Sequence, residues 1–382
     1  MAKRSPGLEA LRELCELGLH AEVLVPAVLE ALHATVPSAR NLFDWTDEQG
    51  RLVRYFVEGP VDEAIAQLYF DEFHNRREAE VMPAFDLLRM RPAGVRGADD
   101  VDQPSFRASA LYQAIWRPQG LHTRLEGVLR GRRGQLLGSL VLYRGPGEAR
   151  YTAEDERRLA AVLPMLAGAL EACGPARIDD HHVPGPEPAQ TLLLSLDGEL
   201  LQASDGAMRL LLLADGGLSR SSLSHPPVQL AGRLLHVLLM RLREQVARAG
   251  GMGLAPPPSI VHDSPFGRYS ATAMLLRPRA AGEPPLVLVT LEHLEPHRVA
   301  LARALRALPL TPGQRRVCHA LYRGATQAEV AAELGVAPAT VVDHVRKLYR
   351  TLGVASTLQL RACIDAAVGH APPPLGGDRS SG

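Results

Sequence analysis

Lysine is almost missing from this chain. Lys3 and Lys347 are its two lysines among 382 residues, and arginine carries nearly all the remaining positive charge. With 34 glycines and 30 prolines, that preference reads as coding bias, not function. The four cysteines, Cys15, Cys173, Cys318 and Cys363, stand far apart with no paired spacing. This excludes a disulfide framework or a clustered zinc site and predicts a reducing, cytoplasmic setting. No apolar run approaches the roughly 20 residues of a membrane span, so no membrane partner is expected. Glu9, Glu13 and Glu16 interrupt the N-terminal stretch where a signal peptide would need its apolar core. The chain also lacks a G-x-S-x-G elbow, a phosphate loop, zinc spacing and the kinase motif set. We therefore expect no catalytic residues, no metal, no cofactor and no enzyme.

Acids and bases balance at 42 each, so any charge-recognised partner must meet a local patch. That patch lies near the end, in LTPGQRRVCHALYRGATQAEVAAELGVAPATVVDHVRKLYRTLGVASTLQLRAC, Leu310 to Cys363. Arg315, Arg316, Arg323, Arg346, Lys347, Arg350 and Arg361 outnumber Glu329, Glu333 and Asp343 there. The pattern predicts four short helices. Thr311 caps the first, with Pro312 at its first position. Thr326 and Glu329 form a capping box for the second, and Gly335 makes the turn. Pro338 opens the third, whose apolar stripe is Val341, Val345, Leu348 and Leu352. Gly353 ends it, and Ser356 caps a fourth helix. A basic helix glued down on one face and entered by a glycine turn is a helix-turn-helix arrangement.

The stretch resembles the LuxR-type (GerE) DNA-binding domain. The resemblance rests on Leu310, Thr311, Val317, Gly324, Thr326, Glu329, Val330, Ala331, Leu334, Thr340, Val341, His344, Leu352, Gly353 and Val354, all in register. Gly313 and Gln314 replace that family's Arg-Glu pair, Arg316 a Glu, Ala328 a Lys, Ala337 a capping Ser, Val342 a Lys and Thr351 the last Lys. None of these touches an apolar stripe, but the operator cannot be borrowed. The resemblance implies base contacts at Val342, Asp343 and Arg346. It implies phosphate contacts at Thr326, Thr340, Lys347 and Arg350. For Asp343 the competing expectation is an ion pair with Arg346 or Lys347.

Upstream, the expected fold class is α+β multidomain, with an all-α tetrahelical helix-turn-helix at the C-terminus. Residues 1–175 alternate amphipathic helices with strands, and Gln135–Ala172 resembles the end of a GAF domain. Residues 176–189 read as a Pro- and Gly-rich linker. Residues 190–292 give two strands around Asp197-Gly198, helices, then three strands, and resemble a PAS domain. A linker helix follows over 293–309, the DNA-binding unit over 310–370, and a compositionally disordered tail over 371–382.

Aromatic residues concentrate in the first module, and a pocket for a small organic effector is expected around Trp45, Tyr55, Tyr69, Phe73, Tyr112 and Trp116. The competing reading is plain core filling. Leu301, Leu305 and Leu308 lie on a heptad-like seam, and Leu360 and Ile364 on the last helix; both are expected to pair in a homodimer. The reading is a regulator coupling a sensing region to double-stranded DNA at a two-half-site operator, with RNA polymerase a further candidate partner. Two alternatives stand beside it. One is an acyl-homoserine-lactone receptor, since YFDEFHN loosely resembles that ligand region. The other is a regulator that docks on another DNA-bound protein.

Overall fold

The computed structural model describes residues 6–47, 49–173, 181–216, 232–248, 256–279 and 282–369. The tail expected to be disordered and the first part of the expected linker, 176–180, lie outside them. The first module opens with α1 (Pro6–Cys15) and α2 (Ala21–Leu32), then β1 (Arg40–Thr46) and β2 (Leu52–Val57). Next come α3 (Glu63–Leu68), β3 (Gly94–Arg96), α4 (Pro104–Arg107), β4 (Thr123–Arg130), β5 (Leu136–Arg144) and α5 (Ala153–Ala172). The strands form one antiparallel sheet in the order β2-β1-β5-β4-β3. Alternation sends Phe43, Leu125, Leu129, Leu140 and Leu142 to one face, where α1, α2 and α5 bury them. A Cβ at Gly127 would come within 2.6 Å of Leu163, so the bare strand lets α5 lie directly on β4. The other sheet face is roofed by α3, wide π-turns at Tyr69–Phe73 and Tyr112–Trp116, and 3-10 turns between them.

The second module comprises β6 (His182–Pro184), β7 (Gln190–Ser195), β8 (Leu200–Ala203), α6 (Ala207–Ala214), α7 (Gly232–Arg248), β9 (Ser259–Ser264), β10 (Gly267–Leu276) and β11 (Leu286–Pro296). Its order, β8-β7-β11-β10-β9, repeats that of the first sheet when each is counted from its own first long strand. Leu192, Leu194, Ala271, Ala273, Val287 and Val289 pack beneath α6 and α7. Two expectations change here. His182–Pro184, expected in a linker, pairs with the end of β11 as an added strand. β11 itself runs to Pro296, where a linker helix was expected from residue 293. The modules are pinned together by Phe266, whose buried ring stacks on Phe56 at 5.8 Å and meets Trp45 edge-on at 6.0 Å.

Five helices follow among the described residues: α8 (His297–Ala307), α9 (Pro312–Tyr322), α10 (Gln327–Leu334), α11 (Pro338–Leu352) and α12 (Thr357–Gly369). Thr311 and Gln314 cap α9 reciprocally, the Thr311 N–H donating to Gln314 Oε1 at 2.8 Å. Thr311→Ala should cost about 1 kcal/mol of stability, checked by thermal denaturation of the full chain. Gly335 takes a left-handed conformation (φ 62°) between α10 and α11, the turn that an L-side chain would strain. Val317, Leu321, Val330, Val341, Val345 and Leu348 close one core with Leu301, Leu305, Leu360 and Ile364.

That core corrects the dimer expectation. Leu301 and Leu305 are 5% exposed and Leu360 and Ile364 fully buried, with Leu308 half-buried against them. The stripes on α8 and α12, each expected to seek a second copy, meet each other within one chain. Among the described residues, no helix is long and apolar enough to cross a membrane.

Candidate functional site

The first functional surface is the outer side of α11. Val341, Val345 and Leu348 anchor the helix, and Val342, Asp343, Arg346, Lys347 and Arg350 are exposed on the opposite side, with Thr340 at its start. Arg346 and Arg350 make no hydrogen bond or ion pair among the described residues, so their donors are available. Asp343 Oδ2 sits 2.7 Å from Lys347 Nζ, and that hydrogen bond holds the carboxyl below its ordinary range. Asp343 is thus an intrahelical partner first, as its spacing allowed, and Lys347 is oriented by it.

Thr326 forms the cap expected of it, and its hydroxyl is engaged there. Its N–H and hydroxyl both donate to Glu329 Oε2, at 2.7 and 2.9 Å, and the adjacent carboxylate would repel a phosphate. The family departures at Gly313 and Gln314 also gain a reason. A Cβ at residue 313 would approach the His344 ring to 3.2 Å, so glycine there lets α11 pack against α9. Of the other basic residues, Arg315 is buried and Arg323 is paired with Glu333 at 2.7 Å. Neither counts toward a free cationic face.

The second is a cavity of about 150 Å³ in the first module, between the sheet face and its roof. Of the expected pocket residues, Tyr55, Tyr69 and Trp116 line it. Trp45, Phe73 and Tyr112 do not. Trp45 lies one residue from Asp44 on β1, so it points to the opposite face and packs toward Phe43 and Phe266. Phe73 and Tyr112 are buried behind the lining, in the core that holds the π-turns, with the Tyr112 hydroxyl 2.8 Å from His122 Nδ1.

The cavity also has a polar floor that the aromatic count missed. Asp44 on β1 lies opposite Tyr55 on β2 and Ser139 on β5. Glu126 accepts from Arg96 at 3.1 Å, and Arg124 lies 3.0 Å from Asp100. Glu78, fully buried in the roof, accepts from the Tyr69 hydroxyl at 2.8 Å and from the Asn75 and Phe85 N–H groups at 2.7 and 3.0 Å. Burial raises the Tyr69 hydroxyl well above its ordinary pKa and pushes the Asp44 carboxyl up to about 8. Among the described residues, no cluster of histidine, cysteine and acids is suited to a metal ion.

Helices α9 to α12, with their turn and unblocked arginines, define a helix-turn-helix module of the DNA-binding class. Residues 308–363 match the family described as bacterial regulatory proteins, luxR family (GerE), and the chain carries a DNA-binding domain of that family there. Similar solved structures include the GAF domain of the cyanobacteriochrome TePixJ (16% identity, 41% of this chain and 92% of that one, TM-score 0.27). Vibrio cholerae VqmA, described as a LuxR-type receptor, is 18% identical over 49% of this chain and 86% of its own, with a TM-score of 0.19. Escherichia coli SdiA is 14% identical over 93% of each chain, with a TM-score of 0.25. No curated protein sequence matches the chain.

Proposed function

We propose that this protein is a cytoplasmic transcription regulator, not a catalyst, whose first module binds a small effector and whose α11 enters the major groove of a promoter. The observation that carries the reading is the luxR-family domain with its third helix packed on one side and, exposed on the other, Arg346 and Arg350 without a partner among the described residues and Lys347 held by Asp343. Arg346 suits a guanine edge and Val342 a thymine methyl. Thr340, Lys347 and Arg350 suit phosphates. A homodimer on two half-sites belongs to the reading, through a surface other than the α8 and α12 stripes, as does contact with RNA polymerase.

The route from sensor to DNA follows from α8. It leaves β11 without a break, lays Leu301 and Leu305 against the α9–α12 core, and turns Arg298 and Arg303 toward the first module. Arg298 Nη1 donates to the Leu17 carbonyl at 2.7 Å, and Arg303 pairs with Glu30. A shift in either sheet therefore reaches the DNA-binding core through one helix.

Binding of the full chain to fragments of its neighbouring promoters, followed by gel shift between about 50 and 200 mM salt, tests the DNA reading. We expect affinity to fall steeply with salt. Arg346→Ala should weaken the best site by about 10- to 100-fold and relax its sequence preference. Lys347→Ala should weaken all sequences alike and lower the salt slope by about 1. Unchanged binding in both variants would sink the assignment of α11.

A further inference from the structure

The effector class can be read from a carboxyl on the cavity floor, Asp44, to which the protein gives one hydrogen bond and no ion pair among the described residues. This inference rests on the regulator reading and deepens it. The cavity floor is a grid set by strand register, with Tyr55, Asp44 and Ser139 in one row across β2, β1 and β5. Glu126 is served by Arg96 and Arg124, and Glu78 by three donors. Arg40 donates to the Glu58 carbonyl at 2.7 Å, the Gln119 amide oxygen at 3.2 Å and the Pro60 carbonyl, so its donors are spent on the protein. Asp44 differs. Its hydrogen bond among the described residues is one from Ser139 Oγ to Oδ2 at 3.0 Å, and it makes no ion pair among them.

We propose that the cavity takes a small organic amine, cationic and about one ring in size, with its nitrogen on Asp44 and its body against Tyr69, Phe70 and Trp116. The space supports this size: cavities of about 150 Å³ hold a benzene-sized guest. The walls support the charge, because aromatic faces attract a desolvated cation. An anionic guest would lie beside Asp44, Glu126 and Glu78 and would find three of the four lining arginines, Arg40, Arg96 and Arg124, already engaged by the protein, with Arg91 alone among the described residues open to it. A neutral hydrocarbon would leave the Asp44 oxygens facing apolar surface. A cation supplies what the site lacks, a partner that makes the ionised carboxylate stable in a buried position.

The experiment uses the full chain without DNA and a matched panel: benzylamine and cyclohexylmethylamine against benzyl alcohol and benzoate, by calorimetry and thermal shift. We expect the amines to bind at least tenfold more tightly than the alcohol and to raise the melting temperature, with no binding of benzoate. Asp44→Asn should erase the amine preference while thermal denaturation shows the fold retained. Equal binding of alcohol and amine, tighter binding of benzoate, or silence across the panel at millimolar concentration would each overturn the proposal. The ranking of ligands on the unmodified chain decides the matter even if the variant folds poorly. DNA plays no part in this titration, so its failure leaves the promoter reading standing, and failure of the gel shifts leaves the amine site standing.

Discussion

Replacing Arg303 with alanine should destabilise the chain by about 3–5 kcal/mol, a large fraction of a typical folding free energy. Arg303 is a buried cation shared by two acids from different modules. Its Nε and Nη2 donate to Glu30 on α2 at 3.0 and 3.2 Å, and its Nη2 to Glu295 on β11 at 2.8 Å, with Nη1 also on Glu295. Burial alone would lower the arginine's pKa; the hydrogen bonds to Glu295 and the attraction of both acids outweigh it and hold the pKa above the ordinary value. Glu295 is 4% exposed, and burial already raises its carboxyl pKa even with the arginine present. Alanine would strand that acid in the interior. Urea denaturation of the single variant checks the loss. The double variant Arg303→Ala/Glu295→Gln should recover about 1–2 kcal/mol, because the neutral amide no longer carries a buried charge. A loss under about 1 kcal/mol in the single variant would mean that water takes over the arginine's role.

Asp44→Asn should do the opposite and stabilise the protein, by about 3 kcal/mol at pH 8.5. The sign follows from protons bound. Burial raises the folded carboxyl from 3.8 to about 8. Between those values the unfolded chain has released the proton and the folded chain still holds it, so stability falls as pH rises. Above about 8 the folded carboxyl ionises and the penalty levels off. The slope is about 1.4 kcal/mol per pH unit for a complete shift, and water in the cavity takes back part of the total. Asparagine keeps an acceptor for Ser139 Oγ and removes the charge. Melting curves of both proteins from pH 4.5 to 8.5 should diverge with rising pH and then run parallel. A constant gap over that range would show that Asp44 ionises like an exposed acid.

The C-terminal unit was legible in the sequence because its signals are local. Thr311, Thr326, Gly335 and the Val341–Leu348 stripe each declare themselves within a turn or two. The mixed helix and sheet of the upstream modules was legible from alternation and turn residues. The pocket was half legible. Counting aromatics gathered Tyr55, Tyr69 and Trp116, which line the cavity, but it also took in Trp45, which period-two alternation on β1 sends to the other face. The π-turns at Tyr69–Phe73 and Tyr112–Trp116 add a residue per turn and rotate Phe73 and Tyr112 off the lining, a change that a 3.6-residue period cannot anticipate. Asp44, Glu126, Arg124 and Arg96 read as a solvent-facing side of strands until the roof covers them. An apolar stripe reports that it wants cover without naming what covers it, so the α8 and α12 leucines were read toward a second copy. Arg303 and Glu30 lie 273 residues apart, and no local pattern joins them.

The way α8 closes the C-terminal core has a practical consequence for dissecting the molecule. A fragment begun where the family resemblance begins, at residue 308, would keep the exposed Arg346 and Arg350 of α11 and yet bare Leu360, Ile364 and Val368, the flank that α8 shields. The smallest autonomous reader of DNA in this chain therefore starts about three helical turns earlier, at His297, and what looks like a connector is a structural fifth of the domain it introduces.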